Sequence, residues 1–237
     1  MKSSGAAELF RRVLEEKQHP KIKLLGDSIT HGVGGSGFQQ NGETIVEGWA
    51  QNPDGYCWAN LFRDYMKDTY GAVVVNKACT GTVVGFVVHN FSSLVDADDD
   101  IIVCTIGTNN RHTMISDEGR PSKEAFFDGF YNQVKCMYDM FEGTGIPTVF
   151  VANIPASEQN EMDGQEYWRV LHMCDINDGY KKLAAECGAT VISLYDLFSD
   201  YCAENNVPLD NLLCDGLHPN DQGYNVMFDL LVKAFGV

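Results

Sequence analysis

The chain has few basic residues for its acidic content: 17 Lys and Arg stand against 33 Asp and Glu, and the formal net charge is −16. A surface of this charge repels the phosphate backbone of nucleic acids and anionic membrane head groups. Long hydrophobic runs are also missing, because no stretch of about 18 apolar residues suggests a membrane span. We therefore expect a protein that binds neither nucleic acid nor membrane.

Metal-binding patterns are missing too. The eight cysteines form no CxxC pair with zinc-site spacing, and no helical HExxH pair is present. We expect no required metal, no cofactor, and reduced thiols that are mostly buried. Residues 1–20 mix acids and bases where a secretory signal needs an uninterrupted apolar region, which predicts a cytoplasmic protein.

The chain does contain short, nearly continuous apolar runs that alternate with amphipathic segments. Such runs are typical of parallel strands buried on both faces, and the alternation predicts helices on both sides of one sheet. We interpret residues 1–237 as one domain with strand order 2-1-3-4-5. The strands are predicted at 21–27, 72–78, 100–108, 148–155 and 189–196, and the helices at 5–18, 56–70, 84–95, 122–142, 165–187 and 220–235.

Polar residues follow two of these strands. Ser28 ends the first strand within "GDSI", and "GTNN" (107–110) ends the third. Ligands of open parallel sheets bind beyond the carboxyl ends of the strands, where the strand order reverses. In a 2-1-3-4-5 order the ends of the first and third strands are neighbours, so a site is predicted there.

Ser28 is a candidate nucleophile. A serine hydroxyl needs a base within hydrogen-bond reach and a third group that orients the base. Asp215 and His218, three residues apart in "DGLH", supply a carboxylate and an imidazole. Taken singly, Ser28 could cap a helix, Asp215 could form a turn and His218 could be structural.

Attack on an ester creates an oxyanion, which needs hydrogen-bond donors. Gly81 in "NKACTGTVVG" offers an unobstructed backbone N–H, and Asn109 in "GTNN" offers a neutral amide. Both residues could also be ordinary turn residues at strand ends.

These four blocks, "GDSI", Gly81, "GTNN" and "DGLH", resemble those of the SGNH hydrolases, also called the GDSL lipase/esterase family. The resemblance reaches from the first strand to the last helix. It implies a flavodoxin-like three-layer α/β/α sandwich with a five-stranded parallel sheet. It also implies Ser28 as nucleophile, His218 as base, Asp215 as orienting acid, and an oxyanion hole formed by the Ser28 and Gly81 N–H groups and the Asn109 amide.

The sequence departs from the family pattern at two positions. Asn110 stands where the family commonly has Asp, which predicts altered hydrogen bonding near the site. Ala78 stands where an earlier Gly is often found. Neither change removes a catalytic group.

A glycine-rich segment, "GVGGSG" (32–37), matches the dinucleotide fingerprint G-x-G-x-x-G. That motif requires its first glycine immediately after the strand and a helix that opens on the motif. Six residues separate Leu25 from Gly32, and no clear helix follows. We therefore predict a loop close to the site, within a long irregular stretch (31–55) of the kind that is often functional.

The predicted substrate is a small short-chain ester, with an O-acetylated sugar or oligosaccharide favoured. Trp49 and Tyr56 flank the polar loop, and aromatic rings commonly cover sugar faces, although Trp49 could equally be a core anchor. His31 and His112 lie just past the first and third strands and are further candidates for substrate contact. Two other functions remain open: a lysophospholipase or thioesterase, and a non-catalytic carbohydrate-binding protein.

Overall fold

The computed structural model describes residues 5–38, 52–113, 119, 121–162 and 169–237. Trp49 and much of the 31–55 stretch lie outside the described residues. The role of Trp49 in substrate binding therefore stays a prediction.

The five strands form one sheet in the order β2-β1-β3-β4-β5, and every neighbouring pair is parallel. Each strand lies inside one of the predicted apolar runs, so the parallel sheet and its strand order are confirmed. Gly26 at the end of β1 is in register with Thr105 at the end of β3, which places the two strand ends side by side. The strands are β1 (Lys21–Gly26), β2 (Val73–Asn76), β3 (Ile101–Thr105), β4 (Thr148–Ala152) and β5 (Val191–Ser193).

Helices connect and follow the strands in the described parts of the chain. They are α1 (Gly5–Glu16), α2 (Ser28–His31), α3 (Trp58–Tyr70), α4 (Val84–His89), α5 (Phe91–Leu94), α6 (Lys123–Glu142), α7 (Glu158–Met162), α8 (Met173–Cys187), α9 (Leu194–Asn205) and α10 (Asp221–Phe235). Short 3-10 segments cover Thr108–Arg111 and Leu209–Leu212.

Successive strand residues point to opposite faces of the sheet and divide the core into two clusters. Leu24 and Val103 pack with residues of α1, α3, α9 and α10. Leu25 and Cys104 pack with residues of α4, α5, α6 and α8 on the other face. The sheet is thus buried on both faces, and the three-layer α/β/α sandwich is confirmed.

Two predicted helices differ from the structure. The helix expected over 165–187 begins at Met173, because the Asp175 carboxylate accepts the His172 N–H at 2.7 Å and caps the first turn there. The segment expected as one helix over 84–95 is divided at Asn90, which lies between α4 and α5.

The helices α2, α7 and α9 were not predicted. The run 189–196 was interpreted as a strand, but β5 ends at Ser193 and α9 begins at the next residue. The Ser193 hydroxyl accepts the Asp196 N–H at 3.1 Å and starts the helix.

All eight cysteines are free, but only Cys57, Cys79 and Cys104 are buried. The expectation that most are buried is therefore wrong. Cys136 and Cys174 occupy exposed positions of α6 and α8. Within the described ranges, no helix is long and apolar enough to cross a membrane.

Candidate active site

Ser28 is the first residue of α2, immediately beyond the end of β1. The preceding Asp27 caps this short helix, because its carboxylate accepts the Ile29 N–H at 3.1 Å. The second Asp27 oxygen accepts from the Asn153 amide at 3.2 Å, and burial raises the pKa of this carboxyl. Asp27 thus braces the turn that presents Ser28.

His218 contacts both of its predicted partners. Its Nε2 lies 2.8 Å from Ser28 Oγ, and its Nδ1 lies 2.7 Å from Asp215 Oδ2. The tautomer with the proton on Nδ1 satisfies both contacts, since the ring then donates to Asp215 and accepts from Ser28. The structure therefore brings the three residues together as the sequence predicted.

Asp215 also accepts hydrogen bonds from the backbone. Its Oδ1 accepts the Leu217 N–H at 3.0 Å and the His218 N–H at 2.8 Å. Burial alone would raise the pKa of this carboxyl, but these bonds and the imidazole lower it below its usual range. Asp215 is therefore a carboxylate at neutral pH.

The loop that carries Asp215 and His218 is closed on itself and tied to α7. The Cys214 N–H donates to the His218 carbonyl at 2.8 Å, and the Ser157 N–H donates to the Gly216 carbonyl at 2.8 Å. A Cβ on Gly216 would lie 2.4 Å from Ser157 Oγ, so this close approach requires glycine. Ser157 is a supporting residue that the sequence did not indicate, because α7 itself was not predicted.

Gly81 is the third residue of a four-residue turn, Cys79 to Thr82. The Thr82 N–H donates to the Cys79 carbonyl at 3.2 Å, and Gly81 has a φ of +81°. The Cys79 N–H in turn donates to the Gly26 carbonyl at 3.1 Å, which fixes the turn to the end of β1. Gly81 is exposed, and a Cβ there would meet no atom within 4 Å.

Asn109 lies in the 3-10 segment after β3, at the carboxyl end of the strands, where Ser28 also lies. Its amide Nδ2 donates to the Thr82 carbonyl at 2.9 Å, directly beside Gly81. An amide carries two N–H donors, so one remains for a second acceptor. The arrangement thus sets Gly81, Asn109 and Ser28 around the ends of β1 and β3.

Residues 24–226 match the GDSL-like Lipase/Acylhydrolase family. The chain belongs to this family. No curated protein sequence gives a significant match.

Several solved structures are similar to the chain, and their similarity shows the fold alone because the identities are low. Axe2, an acetylxylan esterase from Geobacillus stearothermophilus, is 16% identical with a TM-score of 0.64, covering 93% of this chain and 97% of that one. A putative GDSL-like lipase from Parabacteroides merdae is 17% identical with a TM-score of 0.66 and the same coverages, 93% and 97%. LAE5, a hydrolase from the Lake Arreo metagenome, is 17% identical with a TM-score of 0.65, covering 92% and 95%.

The two departures from the common family pattern are accommodated locally. Asn110 Oδ1 accepts the Val84 N–H at 2.9 Å, a bond that an Asp carboxylate would also accept. Its amide Nδ2 reaches Gln133 Oε1 at 3.5 Å, a contact that an Asp could not donate. Ala78 is buried, and its N–H donates to Asn76 Oδ1 at 2.9 Å.

The glycine-rich segment packs against the loop that carries the family's Asp and His. A Cβ on Gly34, whose φ is +95°, would lie 2.5 Å from the Pro219 carbonyl and 3.2 Å from His218 Cβ. A Cβ on Gly35 would lie 1.7 Å from the Tyr56 carbonyl. These glycines thus permit close contact between backbones.

His31, predicted to touch substrate, is buried in this structure. The residue is 1% exposed, its Nδ1 lies 3.0 Å from Thr80 Oγ1, and its ring packs edge-on against Phe38 at 5.1 Å. Burial lowers the pKa of the imidazole, so the ring is neutral at neutral pH. The expected direct contact with substrate is therefore not supported.

His112 is half-buried beside two arginines. Its Nε2 lies 3.4 Å from Arg169 Nε. Burial, followed by the Arg111 and Arg169 cations, lowers the pKa of His112 to about 4. Substrate contact by this neutral ring stays a prediction.

Two groups of side chains in the described chain have atoms close enough to hold a metal ion. Lysine ammonium groups already contact both of them, which disfavours a cation. The first group is Asp96, Asp98 and Asp99, and the second is His172, Cys174 and Asp175. Lys23 Nζ lies 2.7 Å from Asp96 in the first group, and Lys123 Nζ lies 2.7 Å from Asp175 in the second.

Proposed function

We propose that this chain is a serine ester hydrolase that acts through an acyl-enzyme. The observation that carries the proposal is the position of His218, hydrogen-bonded to Ser28 on one side and Asp215 on the other. His218 Nε2 takes the hydroxyl proton as Ser28 Oγ attacks the ester carbonyl carbon. Asp215 holds the ring in the required tautomer and stabilises the imidazolium that forms.

The attack gives a tetrahedral intermediate whose oxyanion accepts from the Ser28 and Gly81 N–H groups and the Asn109 amide. The intermediate collapses as His218 returns its proton to the departing alkoxide, which leaves an ester on Ser28. Water then repeats the sequence: His218 takes a proton from water, the hydroxyl adds to the acyl carbon, and Ser28 leaves with the proton. No step needs a metal or a redox cofactor, so we expect EDTA to leave the activity unchanged.

The substrate that we favour is a small short-chain ester, in particular an O-acetylated sugar or oligosaccharide. The family assignment supports acyl hydrolysis in general. Structures described as acetylxylan or acetyl-xylooligosaccharide esterases are among those that share the fold, and we propose the acetyl preference by analogy with them. The cytoplasmic location stays a prediction from the sequence.

Active-site labelling tests the proposal directly. A fluorophosphonate probe should label the wild-type chain and leave Ser28→Ala unlabelled. p-Nitrophenyl esters from acetate to palmitate, followed by acetylated xylo-oligosaccharides, would then define the substrate. Absence of labelling and of hydrolysis would favour the non-catalytic carbohydrate-binding protein, and a preference for long chains would favour the lysophospholipase or thioesterase.

A further inference from the structure

The imidazole of His31 is buried at the end of α2, the helix that begins with Ser28. Its Nδ1 contacts Thr80 Oγ1 at 3.0 Å, and its Nε2 has no hydrogen-bond partner among the described residues. A buried polar ring costs free energy that a hydrocarbon of similar size would not. The residue that this ring contacts is the one immediately before Gly81.

The conformation of Thr80 decides where the Gly81 N–H points. Asn206 is the only non-glycine residue with positive φ in the described chain, so Thr80 has a negative φ while Gly81 has +81°. With the bond from Thr82 N–H to the Cys79 carbonyl, these signs define a type II turn. Types I and II differ by a rotation of the central peptide, and the N–H of that peptide is the Gly81 N–H.

Both ends of this turn are fixed by other bonds. The Cys79 N–H is bonded to the Gly26 carbonyl at 3.1 Å, and the Thr82 carbonyl accepts from Asn109 at 2.9 Å. Neither bond restrains rotation of the central peptide, whose own carbonyl, that of Thr80, accepts a long contact from Cys79 Sγ at 3.7 Å within the same turn. The contact with His31 fixes the side chain of Thr80 and therefore the Cα atom at which the central peptide begins.

We propose that His31 is a positioning residue that acts through the Thr80 hydroxyl and holds the Thr80–Gly81 peptide with its N–H directed at the oxyanion. The inference rests on the proposed esterase function. Because α2 carries both Ser28 and His31, the nucleophile and the donor turn are fixed to the same helix. The ring is neutral at neutral pH, so it holds Thr80 without placing a cation beside the oxyanion.

Thr80→Val tests the proposal most cleanly, because it removes only the hydroxyl and keeps the shape. We expect kcat for p-nitrophenyl acetate to fall about 10-fold to 100-fold, less than full loss of an oxyanion donor, with KM nearly unchanged. Thr80→Ser should restore most of the rate. Thr148→Val is the matched control. The Thr148 hydroxyl donates to the Ile146 carbonyl at the amino-terminal end of β4, so its removal should not affect kcat.

His31→Leu should lower kcat as Thr80→Val does, and the double variant should be no slower than either single one, because both remove the same contact. Thermal unfolding of each variant would show whether it folds. Wild-type kcat in Thr80→Val, additive losses in the double variant, or failure of Thr80→Ser to recover would overturn the proposal. If wild-type protein is labelled by fluorophosphonate while Thr80→Val is fully active, only this inference fails; if wild-type protein neither labels nor hydrolyses esters, both proposals fail.

Discussion

His218 Nε2 lies 2.8 Å from Ser28 Oγ, although 190 residues separate them in the sequence. Each residue is held by a capped element: Asp27 caps the helix that begins at Ser28, and Asn220 accepts the Gly223 N–H at 3.0 Å at the start of α10, just after His218. The contact is therefore set by backbone structure on both sides. A site preorganised in this way does not need to assemble when the substrate binds.

Ser28→Ala should abolish ester hydrolysis and leave the fold intact, since it removes one hydroxyl group. Losses of about 10⁴ to 10⁶ in kcat are typical for the nucleophile of a triad. Steady-state kinetics and thermal unfolding should be compared with Ser199→Ala, which removes a hydroxyl bonded to the Tyr195 carbonyl on α9. A Ser28→Ala variant that keeps a tenth of the activity would contradict the assignment.

In the proposed mechanism His218 accepts the serine proton, and the pH dependence of the rate tests the charges of the groups around it. Asp215 should add no step near neutrality, since its pKa is lowered and the carboxylate is already charged. His112, with its pKa lowered to about 4, should also remain neutral there. Profiles of kcat/KM against pH for p-nitrophenyl acetate test this expectation.

A control variant and a chelation experiment accompany the pH profile. His89→Asn, an exposed change on α4, should leave the profile unchanged. Loss of activity in EDTA and recovery with zinc would indicate metal-assisted hydrolysis instead.

The sequence predicted the sheet and the grouping of Ser28, His218 and Asp215 because both depend on local patterns: apolar runs bounded by polar turns, and short motifs at their ends. It failed at α9, since the residues on both sides of Ser193 in "VISLY" continue the apolar run and only the hydroxyl of Ser193 marks the change from strand to helix. The burial of His31 was equally hidden. The ring contacts Thr80, which lies 49 residues away, and no spacing rule describes such a contact.

Asn109→Ala should lower kcat by about 10² to 10³ with little change in KM, because the lost donor acts mainly in the transition state. Asn109→Asp should be at least as damaging, since a carboxylate repels the oxyanion and cannot donate to the Thr82 carbonyl. Asn205→Ala is a control, because its exposed amide donates to the Tyr201 carbonyl within α9. An active Asp variant would mean that this side chain does not face the oxyanion.

Gly34→Ala should reduce both stability and kcat, because its Cβ would lie 2.5 Å from the Pro219 carbonyl and press on the loop that carries His218. Gly188→Ala separates this clash from backbone strain, since Gly188 has a similar φ of +74° and nothing within 4 Å of its Cβ. We expect about 1–2 kcal/mol of destabilisation from the positive φ in the control, with unchanged kcat. Denaturant unfolding and kinetics would measure the two effects, and equal kcat values would refute a role of Gly34 in seating His218.

The ester substrate that is hydrolysed best should have a short acyl chain. Each methylene added to the acyl chain gains about 0.8 kcal/mol only when an apolar wall receives it. Two amide side chains lie beyond the end of β3: Asn109 donates to the Thr82 carbonyl, and Asn110 accepts the Val84 N–H. We therefore expect kcat/KM to fall steeply from p-nitrophenyl acetate to the octanoate.

The alcohol half of the ester offers a second, independent measurement. Trp49→Ala should weaken the hydrolysis of acetylated oligosaccharides more than that of p-nitrophenyl acetate, because the smaller ester has no sugar face for an indole ring to cover. The measurement is kcat/KM of the wild-type chain and of the variant on each substrate. The loss caused by Trp49→Ala on the oligosaccharide is then compared with its loss on p-nitrophenyl acetate. If the rate instead climbs with acyl length and the Trp49 change affects both substrates equally, the lysophospholipase or thioesterase function replaces the acetylesterase one.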